Sequence, residues 1–140
     1  MTKDLNSIYD GWKYDSSSIS ARWIKGDDGR AKVQLRLDLG LLQMEADARP
    51  DGDSPYGAES LLDHYALLEK TGNAKMSPLR LGAPECAEMQ QEAVQYYYRY
   101  LSFYALHHLD GVIRDTQHNL DIFELVSRNA ESDELAWQFL

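Results

Sequence analysis

Apolar and polar residues alternate along the first third of the chain, and this alternation predicts a small antiparallel sheet. From Lys32 to Leu39 every second side chain is apolar, a period of two that is typical of a strand with one buried and one solvated face. A shorter alternation over 18–25 precedes it, and the Gly-Asp-Asp-Gly run at 26–29 has the composition of a tight hairpin turn. At Gly40 the apolar positions change from odd to even numbers, which indicates a bulge or a bend into a third strand. We therefore predict a hairpin or meander over 18–48.

After the sheet region, the apolar residues follow the three- and four-residue steps of a helix. The segment 49–55 is rich in Pro, Gly and Asp, so it predicts a loop. We expect a helix over 55–71, with Asp53 or Ser54 as its N-cap and Gly72 at its end. A connector over 73–83 then leads to the C-terminal half.

The C-terminal half predicts an antiparallel helical hairpin. One long helix spans 84–108 and a second spans 112–130, with Asp110-Gly111 between them. The residues of the second helix that recur at helical spacing, and that we expect to be buried, are Val112, Ile113, Thr116, Leu120, Phe123 and Val126. A further helix starts over 132–140 with a capped acidic turn. Its apolar end indicates either a helix packed firmly on the rest of the domain or a fragment of a longer protein, and we favour the fragment.

Together these elements predict an α+β fold in a single domain, 1–140. A small antiparallel sheet of two or three strands in the N-terminal half packs on three to four helices, which include the C-terminal antiparallel helical hairpin. The 140 residues, of which 44% are hydrophobic, suffice for one hydrophobic core.

Charge and cysteine content limit the expected cellular location of the protein and the classes of molecule that it could bind. The net charge is −9, and the acidic excess is strongest in the helical half, which makes nucleic acid an unfavourable partner. The one cysteine, Cys86, cannot form an internal disulfide, which favours a cytoplasmic location. A polar N-terminal segment and the lack of a run of about 18 apolar residues argue against export and against a membrane span. The remaining route to nucleic acid is the basic face of the predicted hairpin, formed by Arg22, Lys25, Lys32 and Arg36, although a solvated strand face has the same pattern.

The long helix carries an unusual run of aromatic residues, namely Tyr96, Tyr97, Tyr98, Tyr100 and Tyr104. Apolar bulk covers more than half of its circumference, so the helix needs neighbours on several sides. Either the sheet and the other helices bury all of these tyrosines, or some stay open to bind another protein chain or a second copy of this one. Trp137 in the last helix is a further candidate contact.

No residue pattern points to catalysis, and we expect neither a metal nor a cofactor. Asp115, His118 and Asp121 recur at three-residue steps, but no HExxH or CxxC pattern accompanies them, which favours surface histidines beside acids. Cys86 lies near a helix N-terminus, but acidic neighbours oppose its activation and favour a buried structural cysteine. An enzyme or ligand-binding domain is the alternative, with a pocket between sheet and helices lined by Tyr97, Tyr100, His64 and His108.

Two stretches of the chain carry a recognisable pattern of residues. Over 29–63 they are QLRLDLGLLQME, RPDG and ESLLD, and over 111–120 they are GVIRDT and NL. These stretches resemble a largely uncharacterised bacterial family of planctomycete type, labelled UvrB/UvrC-motif-containing, and the hairpin is similar to a single tetratricopeptide-like unit. The helical-hairpin motif that gives the family its label is not found in this sequence. The resemblance therefore implies a protein-binding adaptor or scaffold and carries over no catalytic residue.

Overall fold

Three antiparallel strands form the sheet of the N-terminal half. The computed structural model describes residues 3–74 and 78–138, without the side chains of residues 73 and 74. The strands are β1 (Ala21–Lys25), β2 (Ala31–Arg36) and β3 (Leu41–Glu45), in the order β1-β2-β3. Together with the packed helices of the C-terminal half, this sheet confirms the predicted α+β class.

The change of apolar phase at Gly40 marks a reversal of the chain. Leu37 N–H donates to Gly40 O at 2.7 Å, which closes the turn between β2 and β3. The resulting register places Val33 opposite Met44 and Leu35 opposite Leu42, so the odd apolar positions of β2 and the even ones of β3 share one face. Of the two alternatives at this position, the bend into a third strand is the one observed.

The opposite face of the sheet is less solvated than its polar pattern indicates. Lys32 and Gln34 of the central strand are buried, at 9% and 4% exposure. A short helix that the sequence pattern did not indicate, α1 (Asn6–Tyr9), and the segment that follows it are bonded to this face. The prediction of one fully wet face is therefore wrong, because polar partners within the sheet and its turn allow these side chains to be buried: Lys32 pairs with Asp28 and Glu45, and Gln34 bonds to Arg22 and Gln43.

The first long helix begins later than the predicted residue 55. Pro55–Gly57 is a single 3-10 turn, and positive φ at Tyr56 prevents it from continuing into an α-helix. Helix α2 spans Leu61–Ala74. Its N-terminus is capped by Ser60, whose Oγ accepts a hydrogen bond from Asp63 N–H at 3.1 Å and donates one to the Asp63 carboxylate. The predicted N-caps Asp53 and Ser54 are therefore wrong, and Gly72 lies inside the helix.

Two long helices form the predicted C-terminal pair. They are α3 (Ala83–Ala105) and α4 (Leu109–Asn129), and α5 (Asp133–Trp137) follows them. The chain reverses at His107, which has a positive φ of 59°, rather than at Asp110-Gly111. Gly111 lies within α4, where an added Cβ would come within 2.5 Å of the Phe103 ring, so this glycine permits close contact between the helices.

The last helix has the cap that the sequence predicts. Ser132 Oγ accepts a hydrogen bond from Leu135 N–H at 3.3 Å, and the acidic residues Asp133 and Glu134 occupy its first turn. Residues 139–140 of the predicted helix and residues 75–77 of the predicted connector lie outside the described residues.

The apolar core has two parts, which lie toward opposite ends of the α3–α4 pair. One joins α2 to the first half of α3 and the second half of α4, and includes Leu61, Met89 and Ile122. The other joins the sheet to the second half of α3, through Val33, Met44 and Phe103 among others. The charged and polar groups described below lie between these two parts.

The buried face of α4 differs from the predicted stripe. Ile113 and Leu120 are exposed, at 65% and 53%, whereas Asp115 and Asn119 are buried. The apolar pattern did not predict this face because two polar side chains of α4 face inward and bond to α3. Asp115 accepts from Arg99, and Asn119 donates to Ala93 O.

Candidate functional site

Arg99 and Asp115 form a buried ion pair between the two long helices. Arg99 Nε and Nη2 donate to the two carboxylate oxygens of Asp115, both at 2.8 Å, and the side chains are 1% and 0% exposed. The remaining nitrogen of Arg99, Nη1, donates to the main-chain oxygens of Glu45 and Ala48. One guanidinium therefore links α3 to α4, through a bidentate pair with the Asp115 carboxylate, and to the end of β3 and the loop that follows it.

A second buried charge, Glu92, lies about two turns earlier on α3. Its carboxylate accepts hydrogen bonds from the N–H groups of Leu61 and Leu62, at 2.7 and 3.1 Å, in the first turn of α2. His118 Nε2 is 3.0 Å from the same carboxylate, and Arg49 Nε lies 3.0 Å away as an ion pair without hydrogen-bond alignment. A carboxylate at this position complements the partial positive charge of the α2 N-terminus.

The pKa of Glu92 reflects two opposing effects. Burial alone would raise it, but the hydrogen bonds from His118, Leu61 and Leu62 outweigh burial and hold the pKa below its usual value. The carboxylate is therefore charged at neutral pH although its side chain is fully buried.

Tyr96 joins the two charged groups into one network. Its ring stacks on His118 with the ring centroids 3.6 Å apart and the planes nearly parallel, and the Arg99 guanidinium lies 4.8 Å from its centroid. Burial raises the pKa of Tyr96. We call the set Glu92, Tyr96, Arg99, Asp115 and His118 the inner network.

The inner network was not predicted from the sequence, although its spacing is visible there. Glu92, Tyr96 and Arg99 fall at steps of four and three residues, so they share one face of α3. Asp115 and His118 share a face of α4 in the same way. The interpretation of His118 as a surface histidine is wrong, because its side chain lies against Glu92 and Tyr96 and is only 13% exposed. Among the described residues, no group of three or more His, Cys, Asp or Glu could hold a metal ion.

The predicted tyrosine surface divides between the two sides of α3. Tyr96 faces inward, whereas Tyr97 and Tyr104 are 43% and 64% exposed. Tyr98 and Tyr100 are half-buried, and the Tyr97 ring lies 5.6 Å from the first and 5.3 Å from the second. We call the exposed side of α3 that carries Val94, Tyr97 and Tyr104 the outer face.

A groove of about 810 Å³ adjoins the outer face, between β3 and α3. Its lining residues are Leu42, Gln43, Met44, Pro50, Asp51, Ala87, Glu88, Gln90, Gln91, Val94, Gln95 and Tyr98. The alternative interpretation of the sequence placed a pocket between sheet and helices, with a different lining from that of this β3–α3 groove. Of the four residues expected there, Tyr97, Tyr100, His64 and His108, none lines it among the described residues.

The two histidines proposed for that pocket occupy separate aromatic clusters. His64 on α2 stacks on Tyr56 at 4.2 Å and meets the edge of Tyr65. His108 packs against Trp23 and Phe103, with ring centroids 5.4 and 4.8 Å away. The structure therefore does not bring them together into one site.

The remaining candidate contact, Trp137, lies on α5 and is 69% exposed. It belongs to a different element from the tyrosines of α3, and among the described residues no ring contact joins it to them.

The basic face of the hairpin uses most of its cations within the protein. Arg22 donates to Gln34 and to Ile8 O, and its guanidinium lies over the Trp12 ring. Arg36 donates to Trp12 O and lies over the Tyr9 ring. Lys32 forms ion pairs with Asp28 and Glu45. Lys25 is exposed and lies opposite Ala31, so strand alternation directs it to the other face of the sheet from Arg22, Lys32 and Arg36, and its place in the predicted basic face is wrong. The carboxylates and carbonyls that bind these side chains reduce the positive charge available to a phosphate backbone.

Cys86 is a buried thiol in the first part of α3. Its Sγ lies 3.8 Å from Leu81 O. Burial, and then the carboxylates of Glu85 and Glu131, raise the pKa of this thiol. A buried thiol with a raised pKa has the character of a structural cysteine.

None of the described helices is both long and apolar enough to span a membrane. Comparison of the chain with protein-family models, with curated proteins and with solved structures finds no match in any of the three.

Proposed function

We propose that this domain is a non-catalytic, cytoplasmic protein-interaction module that binds another protein chain through the outer face of α3. The observation that carries the proposal is the exposure of Tyr97 and Tyr104, with Val94 beside them, on a helix whose opposite side is held by buried charges. Tyrosine buries a large apolar area on binding and keeps a hydroxyl that can bond to the partner or to water. Tyrosine is accordingly enriched at protein interfaces.

The inner network prepares this surface for binding. Rotation of α3 about its axis would separate Arg99 from Asp115 and Glu92 from the α2 N-terminus, which would leave buried charges unpaired. The side of α3 that faces outward is therefore fixed before a partner arrives. A preformed surface loses less conformational entropy on binding than a mobile one.

Two other functions have weaker support. The β3–α3 groove is open and its polar lining consists of glutamines and two carboxylates, without the histidines expected for an enzyme or ligand site. A nucleic-acid role is disfavoured because Arg22, Lys32 and Arg36 bond within the protein. The resemblance of 29–63 and 111–120 to the UvrB/UvrC-motif-containing family agrees with a protein-binding role and adds no catalytic one.

Site-specific photo-crosslinking tests the proposal. A benzophenone amino acid replaces Tyr97 on the outer face, and a matched control replaces Tyr14, which is similarly exposed at 44% but lies outside α3. We expect a discrete adduct from position 97 that position 14 does not give, and loss of that adduct in Val94→Lys. The captured protein, once purified, should bind the native chain in a titration and bind Val94→Lys at least about tenfold more weakly. Identical adducts from positions 97 and 14, with equal affinities for the native chain and Val94→Lys, would refute the proposal.

A further inference from the structure

Strand β3 is an edge strand with free main-chain groups. In an antiparallel sheet, alternate residues direct their N–H and C=O to the same side. Ala46 N–H donates to Ala31 O at 3.3 Å. The even residues Leu42 and Met44 therefore also direct their main-chain N–H and C=O toward β2. The odd residues therefore direct their main chain away from the sheet. Glu45 N–H confirms this direction, because it donates to Pro50 O at 2.8 Å.

Pro50 thus closes one end of the edge and leaves the other open. Within the described residues, the outward main-chain groups of Leu41 and Gln43 have no hydrogen-bond partner. An unpaired edge of this kind pairs readily with another extended chain.

The free edge faces the β3–α3 groove. The side chain of Gln43 projects to the other face of the sheet, where its Oε1 accepts a hydrogen bond from Gln34 Nε2 at 3.0 Å. Gln43 nevertheless lines the groove, so its contribution there is its main chain. One wall of the groove is thus an open strand edge, and the other wall is the side of α3 that carries Ala87, Val94 and Tyr98.

We propose that the β3–α3 groove binds an extended segment of the partner protein, which adds a fourth strand to the sheet beside β3. This inference rests on the proposed interaction function and names the form of the ligand. An extended chain presents N–H and C=O groups along its length, so it can match Leu41 and Gln43, whereas a helix bonds its own main chain and cannot. Alternate side chains of the added strand would lie against Val94 and Tyr98 of α3.

The charge of the groove defines the composition of the segment. Among the twelve described lining residues, Asp51 and Glu88 are acidic and none is Lys or Arg. Asp51 already pairs with Arg49 at 3.3 Å, so the exposed Glu88 is the main negative charge that the lining offers to a ligand. The other polar side chains of the lining include those of Gln90, Gln91 and Gln95; an amide side chain can both donate and accept, and that of Gln95 already donates to Asp51 at 3.0 Å. A segment that alternates apolar residues with Lys or Arg therefore fits the groove.

A second copy of this chain fits less well. The chain carries a net charge of −9, and two copies paired at β3 would bring Glu88 and Asp51 of each toward those of the other. Like charges placed close together across an interface oppose binding. The occupant is therefore a basic segment of a different protein.

Fluorescence anisotropy with synthetic peptides tests the inference. The probe is a fluorescein-labelled peptide of alternating valine and lysine, and its first counterpart has glutamate in place of lysine. Two further counterparts carry N-methyl groups, one on every valine and the other on every lysine, so each lacks the N–H donors of one edge. We expect saturable binding of the probe, no binding of the glutamate peptide, and a loss of about tenfold for only one N-methylated peptide, because only one edge faces β3.

A matched pair of protein variants locates the site. Gln43→Pro removes the outward N–H and obstructs pairing, whereas Gln43→Val removes the same side chain and keeps the N–H. Proline is tolerated on an edge strand where its nitrogen faces away from the sheet. We expect Gln43→Val to bind the probe like the native chain and Gln43→Pro to bind at least about tenfold more weakly. If Gln43→Pro does not fold, the N-methylated peptides decide the question with the native protein.

The outcomes separate this inference from the proposed function. Equal affinity for both N-methylated peptides, or no binding of the probe, overturns strand addition. If position 97 still gives its specific adduct in that case, the interaction function stands and only the form of the ligand is wrong. If neither the adduct nor the binding is seen, both are wrong.

Discussion

Replacing Glu92 by glutamine tests whether the inner network holds the fold together. The substitution keeps the size and one acceptor oxygen, and it removes the charge. Four donor groups converge on this carboxylate: the N–H groups of Leu61 and Leu62, His118 Nε2 and Arg49 Nε. In Glu92→Gln the amide NH₂ must face at least one of these donors, which leaves a buried donor without an acceptor.

We expect a large loss of stability because the Glu92 side chain is fully buried. Hydrogen bonds to a charged group contribute about 1.5–3 kcal/mol each, and removing one partner of a buried ion pair costs about 3–5 kcal/mol. The retained oxygen recovers part of this, so we expect Glu92→Gln to lower the free energy of unfolding by about 3 kcal/mol. For a domain of this size that corresponds to a fall in Tm of about 10 °C.

The pH dependence gives a second signature of the same carboxylate. Its pKa is lower in the folded protein than in the unfolded chain, where a glutamate titrates at about 4.3. The carboxylate therefore stabilises the fold above about pH 4.3, and this contribution is lost as the pH falls through the lower folded pKa. The native protein should lose stability over that range, and Glu92→Gln should lose less, so their unfolding free energies converge in acid.

Urea unfolding followed by circular dichroism, repeated from neutral to acid pH, measures both effects. The matched control is Glu88→Gln, the same change one turn earlier on α3 at an exposed position, which should alter the free energy of unfolding by less than about 0.5 kcal/mol. The reasoning is refuted if Glu92→Gln costs less than about 1 kcal/mol at neutral pH. It is also refuted if the difference between the native protein and Glu92→Gln is the same at all pH values.

Three other residues give separate expectations. Asp115→Asn should cost about 3 kcal/mol in urea unfolding because it leaves Arg99 buried without a counter-ion, and adding Arg99→Met to it should recover part of the loss. Gly111→Ala should lower the free energy of unfolding by about 2 kcal/mol, because its Cβ would meet the Phe103 ring, and a calorimetric scan should show this as a lower Tm. The thiol of Cys86 should react with an aromatic disulfide reagent far more slowly in the folded protein than in urea at about pH 8, and a fast reaction in the folded protein would contradict its burial.

The sheet and the helical pair follow from the sequence because their patterns are local. The period of two in β2, and the glycines and aspartates before it, determine the strand and its turn without reference to the rest of the chain. The start of α2 was misplaced because Pro55 resembles a first helical residue, whereas the positive φ of Tyr56 depends on a conformation that no pattern encodes. Such boundaries are decided by single residues.

The inner network could not be predicted in the same way, because it depends on pairings between distant residues. Polar side chains are assigned to the surface by default, so Ile113 and Leu120 were expected inside, and the expected buried stripe did not include Asp115 or Asn119. The structure reverses both assignments. A helix with Glu and Arg on the same face as a tyrosine is compatible with a solvated face or with a buried network. The two possibilities are distinguished only by α4, which places Asp115 beside Arg99 and His118 beside Glu92.

The buried charges also explain how a helix that is aromatic on most of its circumference presents one defined surface. Hydrophobic burial alone distinguishes poorly between rotations of α3, since a turn of about 100° exchanges one tyrosine for the next. Charges do distinguish them, because Glu92 and Arg99 have partners in one rotation only. That rotation places Tyr96 inside and leaves Tyr97 and Tyr104 outside. The buried charged residues therefore determine which tyrosines of α3 are exposed.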